Sequence, residues 1–468
     1  MAEFEDKLAT VVTREIAGCE SLVRAERLSG GASQETYRLT LKIDGAETTM
    51  AMRRTPGGLW IDEPIPERPG LAVEAKLMQA ARDVGVPEPE VFYVLRREDD
   101  LGEGFIMQWL EGEALGARIV RSEQFENLRP QLAEKCGRAL ARIHSIDLES
   151  TGLDQDLAQI TPSQFVTQMW DRYKAYETPQ PMIDYAARWL NEHLPAEYEM
   201  RLVHNDFRNG NFMVSPDDIV AVLDWEVAHI GDPMRDLGWI CTNSWRFHSV
   251  LPVGGFGEYE DLFRGYEAES GKTVNPDHVK FWEVFGSYWW AVGCLGMAEH
   301  YRNGPDKTVE RPAIGRRTSE CQVDCVNLII PGPVELVEGA IDDSPDMPRA
   351  DELVKSVRDY LHNDVMAGTQ GRLNFMSRVA GNSLDIVLRE LELGPAHRAA
   401  ELDRLQQYFG SRDGLLALRW RMTNGLRDGS IGLDDEAVKD YLRNTVVNQI
   451  AIDQPRYTGF KRAIGEIQ

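Results

Sequence analysis

One stretch of the chain, residues 202–237, constrains the fold more than any other. Within it, two short apolar runs at 212–214 and 219–223 are separated by the turn residues Pro216-Asp217-Asp218. Two apolar runs joined by a short polar turn are typical of a β-hairpin. The stretch therefore predicts a small β-structure with polar side chains at its joints.

Three of these polar side chains carry oxygen atoms suited to phosphate chemistry. Asn211 precedes the first strand, Asp224 follows the second, and Asp206 lies just upstream. Hard oxygen ligands such as Asn211 and Asp224 suit Mg²⁺ bound together with phosphates. The other carboxylate, Asp206, fits a base for an attacking hydroxyl. The alternative is a set of ordinary turn residues, which would have to produce three linked motifs in order.

The spacing of His204-Asn205-Asp206 and Asn211 is that of the kinase catalytic loop, His-x-Asp-x-x-x-x-Asn. Asp224-Trp225-Glu226 stands in place of Asp-Phe-Gly, and 231–237 matches Gly-Asp-Pro-x-x-Asp-Leu. The stretch resembles the aminoglycoside phosphotransferase branch of kinase-like enzymes. The resemblance implies an α+β, two-lobed protein-kinase-like fold, with a small β-rich N-lobe and a larger helical C-lobe. It also implies ATP and Mg²⁺ as cofactors.

The same resemblance assigns roles to residues of the stretch. Asp206 is expected to be catalytic, and Asn211 and Asp224 are expected to bind the metal. His204 is expected to brace the loop, and Asp232 and Asp236 to hold it by hydrogen bonds.

Upstream segments supply nucleotide-binding candidates in the order that a kinase requires. Gly30, Gly31 and Ser33 lie between two strand-like runs and are small enough for backbone N–H groups to approach phosphate. A Gly-Gly pair is also common in a plain hairpin turn. The apolar strand 104–112 resembles the hinge between the lobes, which places Gln108 and Leu110 near the adenine.

A strand at 48–54 carries Arg53 where the kinase pattern has lysine, and Arg54 is the alternative phosphate ligand. Arginine can hold phosphate bidentately. The Arg-Arg-x-Pro segment is similar to the kinase domains associated with acyl-CoA dehydrogenases. Glu74, on a helix predicted at 71–84, is expected to fix Arg53, unless it is an exposed helix carboxylate.

Composition limits the partners. The formal charge of −25 argues against binding to nucleic acid or to an anionic membrane. We see no leader segment and no apolar run long enough to span a membrane, and the six cysteines are scattered, which predicts a cytoplasmic protein. Cys321 and Cys325 are interpreted as one buried helix face rather than a metal site.

Four segments are predicted from the changes in pattern. An opening helix over 3–23 begins the N-lobe, and a Leu-Gly-Pro break at 393–395 is expected to end a helix near the C terminus. That last region resembles an uncharacterised helical domain and could support a homodimer. The boundaries are 1–108 for the N-lobe, 109–333 for the C-lobe, 334–350 for a linker and 351–458 for an all-α domain.

The acceptor is expected to be a hydroxylated small molecule. Helices at 165–190 and 281–301 are aromatic and apolar, with Trp289 and Trp290 interpreted as packing residues. This composition favours an apolar or anionic acceptor, such as a hydroxyacyl-CoA or another metabolite. An aminoglycoside or macrolide kinase and a non-catalytic nucleotide-binding scaffold are the alternatives. The cations assigned to this region are Arg172, Lys174, Arg188, Arg302, Arg311, Arg316 and Arg317.

Overall fold

The structure is a computed structural model that describes residues 2–28, 34–61, 68–341 and 343–467. It has the predicted α+β, kinase-like architecture, in which a β-rich lobe precedes a larger helical lobe and a C-terminal helical region follows. The predicted phosphate-loop residues Gly30, Gly31 and Ser33 lie outside the described residues.

The N-lobe is an antiparallel five-stranded sheet with the strand order β1-β2-β3-β5-β4. Its elements are α1 (Ala2–Glu15), β1 (Cys19–Arg27), β2 (Glu35–Ile43), β3 (Ala46–Arg54), α2 (Leu71–Asp83), β4 (Val91–Val94) and β5 (Gly104–Gln108). The buried side chains of β2 alternate with its half-buried ones over 35–41, as expected for a strand with one face on the core.

The predicted opening helix over 3–23 is too long, because strand β1 already begins at Cys19. Gly18 separates the two elements with φ +71°, in the left-handed region, and a Cβ there would meet the side chain of Asp44. Cys19 then pairs with Ile43. Pairing with β2 outweighs the helical pattern in this segment.

The C-lobe consists of helices around two short strand pairs, β6 with β9 and β7 with β8. Its elements are α3 (Gly116–Arg121), α4 (Arg129–His144), α5 (Leu148–Thr151), α6 (Leu153–Asp156), α7 (Pro162–Lys174), α8 (Pro181–Glu192), β6 (Arg201–Val203), β7 (Phe212–Val214), β8 (Ile219–Val222), β9 (His229–Gly231), α9 (Met234–Cys241), α10 (Tyr259–Ser270), α11 (Pro276–Asn303), α12 (Glu310–Arg316) and α13 (Thr318–Ile329). Cys321 and Cys325 are free thiols, buried in α13 as predicted.

The C-terminal region is helical. Its elements are α14 (Ala350–Tyr360), a π-helical turn (Leu361–Val365), α15 (Met366–Gly368), α16 (Gly371–Phe409), α17 (Leu415–Asp428), α18 (Glu436–Asp453) and α19 (Thr458–Ala463). Helix α14 exposes Leu353, Val357 and Tyr360. No helix in the described part of the chain is long and apolar enough to cross a membrane.

The predicted helix stop at 393–395 is wrong, because α16 continues through Pro395. A proline in a helix interior costs about 3 kcal/mol. Side chains on both sides of it are held by the neighbouring helices. Arg389 donates to the carbonyl of Ile452 before the proline, and Glu401 pairs with Arg419 after it. Tertiary contacts on both halves therefore outweigh the local penalty.

One hydrophobic cluster connects the C-lobe with the C-terminal region. It contains buried residues of α7, α8, α11 and α13 together with Leu405, Met422, Val438 and Tyr441 from α16, α17 and α18. Burial of apolar surface is worth about 25 cal/mol per Å². The C-terminal region is therefore packed against the C-lobe through a common core.

A buried polar network crosses the same contact. Asp184 on α8 is fully buried and accepts hydrogen bonds from Arg427 Nε at 2.8 Å, Trp170 Nε1 at 2.8 Å and the Tyr173 hydroxyl at 2.9 Å. Burial raises the pKa of Asp184, and the hydrogen bond from Arg427 opposes that increase. Arg427 comes from α17, so it links the C-terminal region to the C-lobe.

We predict that Arg427→Met destabilises the protein by about 3–5 kcal/mol, because the substitution leaves the buried Asp184 carboxylate without its cation. Chemical denaturation followed by tryptophan fluorescence measures the loss. The control is Arg412→Met, which removes an exposed arginine from the same region. Equal stability of the two variants would show that the Asp184 network contributes nothing to this contact.

Candidate functional site

The β7–β8 hairpin brings Asn211 and Asp224 to the same end, as predicted. Phe212 pairs with Val222, and the Leu223 amide donates to the Asn211 carbonyl at 2.7 Å. Asp224 is the next residue and has φ +70°. Aspartate and asparagine tolerate this left-handed region better than other non-glycine residues. The backbone therefore turns at Asp224, just after strand β8 ends.

Asp206 is held by three different side chains. Its carboxylate accepts from Trp239 Nε1 at 2.7 Å and from Arg208 Nε at 3.0 Å. The Asn211 amide nitrogen donates both to this carboxylate and, at 2.9 Å, to the Asp206 carbonyl. The Asp206 side chain remains 17% exposed, so it is fixed but still accessible to a ligand.

The loop that carries Asp206 is anchored by a buried carboxylate. Asp236, on the first turn of α9, accepts from the His204 amide at 2.9 Å and from the Asn205 amide at 2.7 Å. Its Oδ2 also lies 3.0 Å from His144 Nε2. Burial by itself raises the pKa of Asp236, but these hydrogen bonds and the nearby histidines bring the pKa below its usual value.

His204 connects the loop to the hairpin. Its Nε2 donates to the Leu223 carbonyl at 3.1 Å, and its Nδ1 accepts from the Asp206 amide at 3.2 Å. Burial lowers the pKa of His204. A neutral imidazole protonated at Nε2 satisfies both hydrogen bonds. His204 therefore has its two nitrogens committed to bracing the loop.

Arg53 reaches from the N-lobe to the hairpin. It projects from β3, opposite Phe105 on β5. Its Nη2 lies 2.7 Å from Asp224 Oδ1 and 3.6 Å from Glu74 Oε2. The predicted pairing with Glu74 is thus present, and a shorter contact to Asp224 accompanies it. Arg54, the alternative cation, instead pairs with Glu35 at 2.9 Å.

Burial in this cluster affects Glu74 strongly. Glu74 is only 2% exposed. Burial raises its pKa to about 7, although the Arg53 charge acts in the opposite direction and the charges of Asp224 and Glu226 add to the increase. Glu74 and Asp224 therefore share one arginine, and a cation bound at Asp224 would reduce the repulsion between these two carboxylates.

The donor set at the hairpin fits a magnesium ion bound together with phosphates. No three Asp, Glu, His or Cys side chains converge to hold a metal within the part of the chain that the structure describes. Asn211 and Asp224 supply amide and carboxylate oxygens at one end of the hairpin. Mg²⁺ is often held by one or two carboxylates plus substrate phosphates. These two residues therefore fit a shared metal site better than a closed protein cage.

The two hinge residues lie at and just beyond the end of β5, and several of the predicted cations are paired with carboxylates. Gln108 ends β5, where its Oε1 accepts from the Glu90 amide at 3.3 Å, and Leu110 is half-buried two residues further on. Several cations predicted from the C-lobe helices form ion pairs with neighbouring carboxylates. These pairs are Arg188 with Glu192, Arg311 with Asp306, Arg316 with Glu390 and Asp453, and Arg317 with Glu320.

Two cations that contact the loop around Asp206 are ones that the sequence interpretation missed. Arg208 donates to Asp206 and lies with its guanidinium 4.1 Å from the Trp245 ring centroid. Arg235 is fully buried, with its guanidinium 4.7 Å from the Trp239 ring and 5.0 Å from the Trp289 ring. Burial lowers the pKa of Arg235 to about 9. Their positions within the two motifs, two residues after Asp206 and one before Asp236, could have identified both.

Family comparisons agree with this arrangement. Residues 24–271, more than half of the chain, match the sequence profile described as "Phosphotransferase enzyme family". Residues 367–457 match one described as "Domain of unknown function (DUF6285)". The first match contains β2, β3, the catalytic-loop stretch and α9. The second begins and ends within the C-terminal helical region.

Individual relatives cover the chain in part. Acyl-CoA dehydrogenase family member 10 of Mus musculus is 31% identical over 308 residues, 62% of this chain and 27% of that protein. Acyl-CoA dehydrogenase family member 11 of Rattus norvegicus is 28% identical over 219 residues, 44% of this chain and 26% of that protein. The chain thus spans well under half the length of these curated relatives.

A solved structure shares the fold. It is described as a proposed aminoglycoside phosphotransferase from Ralstonia eutropha, with 22% identity and a TM-score of 0.57. The superposition covers 69% of this chain and 97% of that one. At this identity the likeness establishes the fold alone.

We predict that Asp236→Asn loosens the loop that carries Asp206, because an amide cannot present acceptor oxygens to both backbone N–H groups. A buried donor left unsatisfied costs about 1–3 kcal/mol. Hydrogen exchange at the His204 and Asn205 amides should accelerate. Asp232→Asn is the matched control, since Asp232 accepts instead from Trp282 and the Met234 amide. Equal acceleration in both variants would remove Asp236 as the specific anchor.

Proposed function

Since the chain belongs to the phosphotransferase enzyme family, we propose that it transfers the γ-phosphoryl group of ATP to a hydroxyl of a small molecule. One observation carries the proposal. The Asp206 carboxylate is held in place by Trp239 and Arg208, directly beside the end of the hairpin that presents Asn211 and Asp224. A fixed, accessible carboxylate beside a pair of metal-binding oxygens is the arrangement that phosphoryl transfer requires.

Asp206 orients the acceptor hydroxyl and accepts its proton as the phosphoryl group moves in line. Its hydrogen bonds from Trp239 and Arg208 restrict the carboxylate to one position, and this positioning supplies a large share of the rate. Asn211 and Asp224 would hold Mg²⁺, which neutralises charge on the phosphates when bound. The Arg208 guanidinium, next to Asp206, places a positive charge where negative charge accumulates.

Arg53 acts from the opposite lobe. It is paired with Asp224 and Glu74. Phosphate oxygens can replace Asp224 as its partner, since a guanidinium binds phosphate bidentately. Asp224 is then available for the metal, and Glu74 keeps the Arg53 side chain in place. The proposed phosphate-loop residues Gly30, Gly31 and Ser33, and the proposed adenine neighbours Gln108 and Leu110, complete the nucleotide site.

We place the acceptor beside the aromatic residues next to Asp206. Trp239 and Trp245 pack edge to face at 5.2 Å, and Trp289 lies 4.9 Å from Trp239. Two cations, Arg208 and Arg235, lie against these rings, and the Asp206 carboxylate accepts from Trp239 Nε1. Trp239, Trp245 and Arg235 are buried, so the acceptor would meet the partly exposed Arg208 and Trp289 at the edge of this cluster. That edge suits an apolar or anionic acceptor, such as a hydroxyacyl-CoA, better than a polycationic aminoglycoside. The names of the two acyl-CoA dehydrogenase relatives fit the same class.

A homodimer through residues 351–458 and a cytoplasmic location stay predictions from the sequence. The division into lobes at 108 and at 333, with a linker over 334–350, also stays a prediction from the sequence. The shared hydrophobic cluster between the C-lobe and the C-terminal region means that these boundaries are best tested by expressing the full chain and mapping proteolysis sites.

We predict that Asp206→Ala lowers kcat for phosphoryl transfer by about 10²–10⁴-fold, the usual contribution of a positioned acid or base. ATP turnover is measured against a panel of hydroxyacyl-CoA esters, sugars, aminoglycosides and macrolides. The control is Asp217→Ala, which removes an exposed carboxylate from the turn of the same hairpin. Wild-type turnover in the Asp206→Ala variant would contradict the catalytic assignment. A wild type that binds ATP and transfers phosphate to none of the panel would favour the scaffold alternative.

We predict that Arg53→Ala raises the KM for ATP about tenfold or more, because it removes a charge-assisted hydrogen bond to phosphate. Since that change also leaves Glu74 buried and unpaired, the double variant Arg53→Ala/Glu74→Gln is measured beside it. Arg54→Ala is the matched control, because Arg54 contacts Glu35 and the Leu101 carbonyl. An effect of Arg54→Ala with none from Arg53→Ala would move the phosphate ligand by one residue.

A further inference from the structure

The C-terminal end of the chain lies against a turn that borders the proposed catalytic loop. Tyr457 and Thr458, at the start of α19, are 6% and 8% exposed. They contact the 3₁₀ turn Asn243–Trp245, which follows α9, and Asp324 on α13. Neither family match includes Thr458, since they end at 271 and at 457.

These contacts form a closed set of buried hydrogen bonds. The Thr458 hydroxyl donates to Asn243 Oδ1 at 3.0 Å, and the Tyr457 hydroxyl donates to Asp324 Oδ2 at 2.6 Å. Asn243 Nδ2 donates to Asp324 Oδ1 at 2.7 Å. Without the two hydroxyls, Asn243 and Asp324 would each keep a buried oxygen with no donor from this segment, which is costly. The C-terminal segment therefore determines how Asn243 is held.

The same turn supports the loop that carries Asp206. The Trp245 carbonyl accepts from Asn209 Nδ2 at 3.2 Å. The Trp245 ring lies 4.1 Å from the guanidinium of Arg208, and Arg208 in turn donates to Asp206. Asn209 is fully buried, and its Nδ2 also donates to the Gly254 carbonyl. Trp245 therefore contacts two consecutive loop residues: its ring packs against Arg208, and its carbonyl accepts from Asn209.

We propose that Tyr457 and Thr458 are positioning residues that hold the Asn243–Trp245 turn, and through Trp245 the Arg208 and Asp206 side chains, in the geometry for phosphoryl transfer. The C-terminal region is in this respect part of the active-site structure rather than an appended module. The kinetic part of the proposal rests on the proposed function. The structural part, that these hydroxyls order the turn and the loop, does not.

The expected kinetic effect is selective. The contacts end at Asp206 and Arg208 in the C-lobe, whereas Arg53 reaches the nucleotide site from the N-lobe. Loss of the two hydroxyls should therefore lower kcat by about tenfold or more, since small displacements of reacting groups have effects of that size. The KM for ATP should stay within about twofold of the wild-type value.

The test uses the full chain with Tyr457→Phe/Thr458→Val. Hydrogen exchange is followed at the Trp245 and Arg246 amides, which donate to the carbonyls of Thr242 and Asn243, respectively. It is also followed at the Asn211 amide, which donates to the Arg208 carbonyl. Exchange should accelerate at all three, and kcat should fall. Tyr457→Phe/Thr458→Ser keeps one hydroxyl and should recover part of both properties.

Tyr185→Phe is the matched control. The Tyr185 hydroxyl is equally buried and donates to the Leu433 carbonyl at 2.9 Å, so it crosses the contact between the C-lobe and the C-terminal region elsewhere. It should lower the melting temperature without changing exchange in the turn or kcat. Unchanged exchange at Trp245, Arg246 and Asn211 in Tyr457→Phe/Thr458→Val would overturn the proposal. So would equal effects of Tyr185→Phe.

The kinetic and exchange measurements separate two kinds of failure. A wild type that transfers no phosphate would contradict the proposed function, while the exchange data would still decide whether the C-terminal hydroxyls order the loop. Accelerated exchange with an unchanged kcat in an active enzyme would refute the positioning role.

Discussion

The site depends on one buried carboxylate, that of Asp236. Residues 204–211 form a loop with few backbone hydrogen bonds of its own, and Asn205 adopts a left-handed conformation with φ +66°. Such a loop keeps one shape only if its surroundings specify it. Asp236 does so by accepting from two successive amides, His204 and Asn205. Because Asp236 lies on α9, which is packed in the core, its hydrogen bonds fix the loop relative to that helix.

Three further contacts connect the anchored loop to the rest of the site. His204 connects the loop to the end of strand β8, which sets the distance between Asp206 and Asp224. Trp239, on the same helix as Asp236, holds the Asp206 carboxylate. Arg53 then reaches Asp224 from the other lobe. The two lobes are thus linked through an ion pair at the very residue that we propose as a metal ligand, so nucleotide and metal would compete with an existing contact.

The C-terminal region adds a second constraint. Its helices share a hydrophobic cluster with α8, α11 and α13, and Arg427 supplies the cation for the buried Asp184. A region that merely followed the kinase-like lobes would need none of these contacts. Thr458 extends the contact to the Asn243–Trp245 turn beside the loop, and Tyr457 to Asp324, which binds the same turn. The C-terminal helices therefore stabilise the site as well as the fold.

The local sequence predicted much of the site because its geometry is short-range. Asn211 and Asp224 flank one hairpin, and hairpin pairing requires their proximity whatever the rest of the chain does. The pairing of Arg53 with Glu74 was implied by the resemblance to kinases, in which a helix glutamate pairs with the strand cation. In contrast, the pattern over 3–23 predicted too long a helix, and the Leu-Gly-Pro run at 393–395 predicted a break, because in both places tertiary contacts outweigh local preference.

What the sequence determined by itself is the kinase-like order of motifs, the α+β architecture and the residues at the hairpin. Only the tertiary structure decided which cations stand beside Asp206. Several arginines of the C-lobe helices are paired with carboxylates elsewhere, whereas Arg208 and Arg235 lie against tryptophans at the site. The two motifs contain both arginines, but aromatic partners such as Trp245 and Trp289 lie in other segments, and no spacing within one segment specifies those contacts. For the same reason only the folded chain places Thr458 against Asn243, 215 residues away.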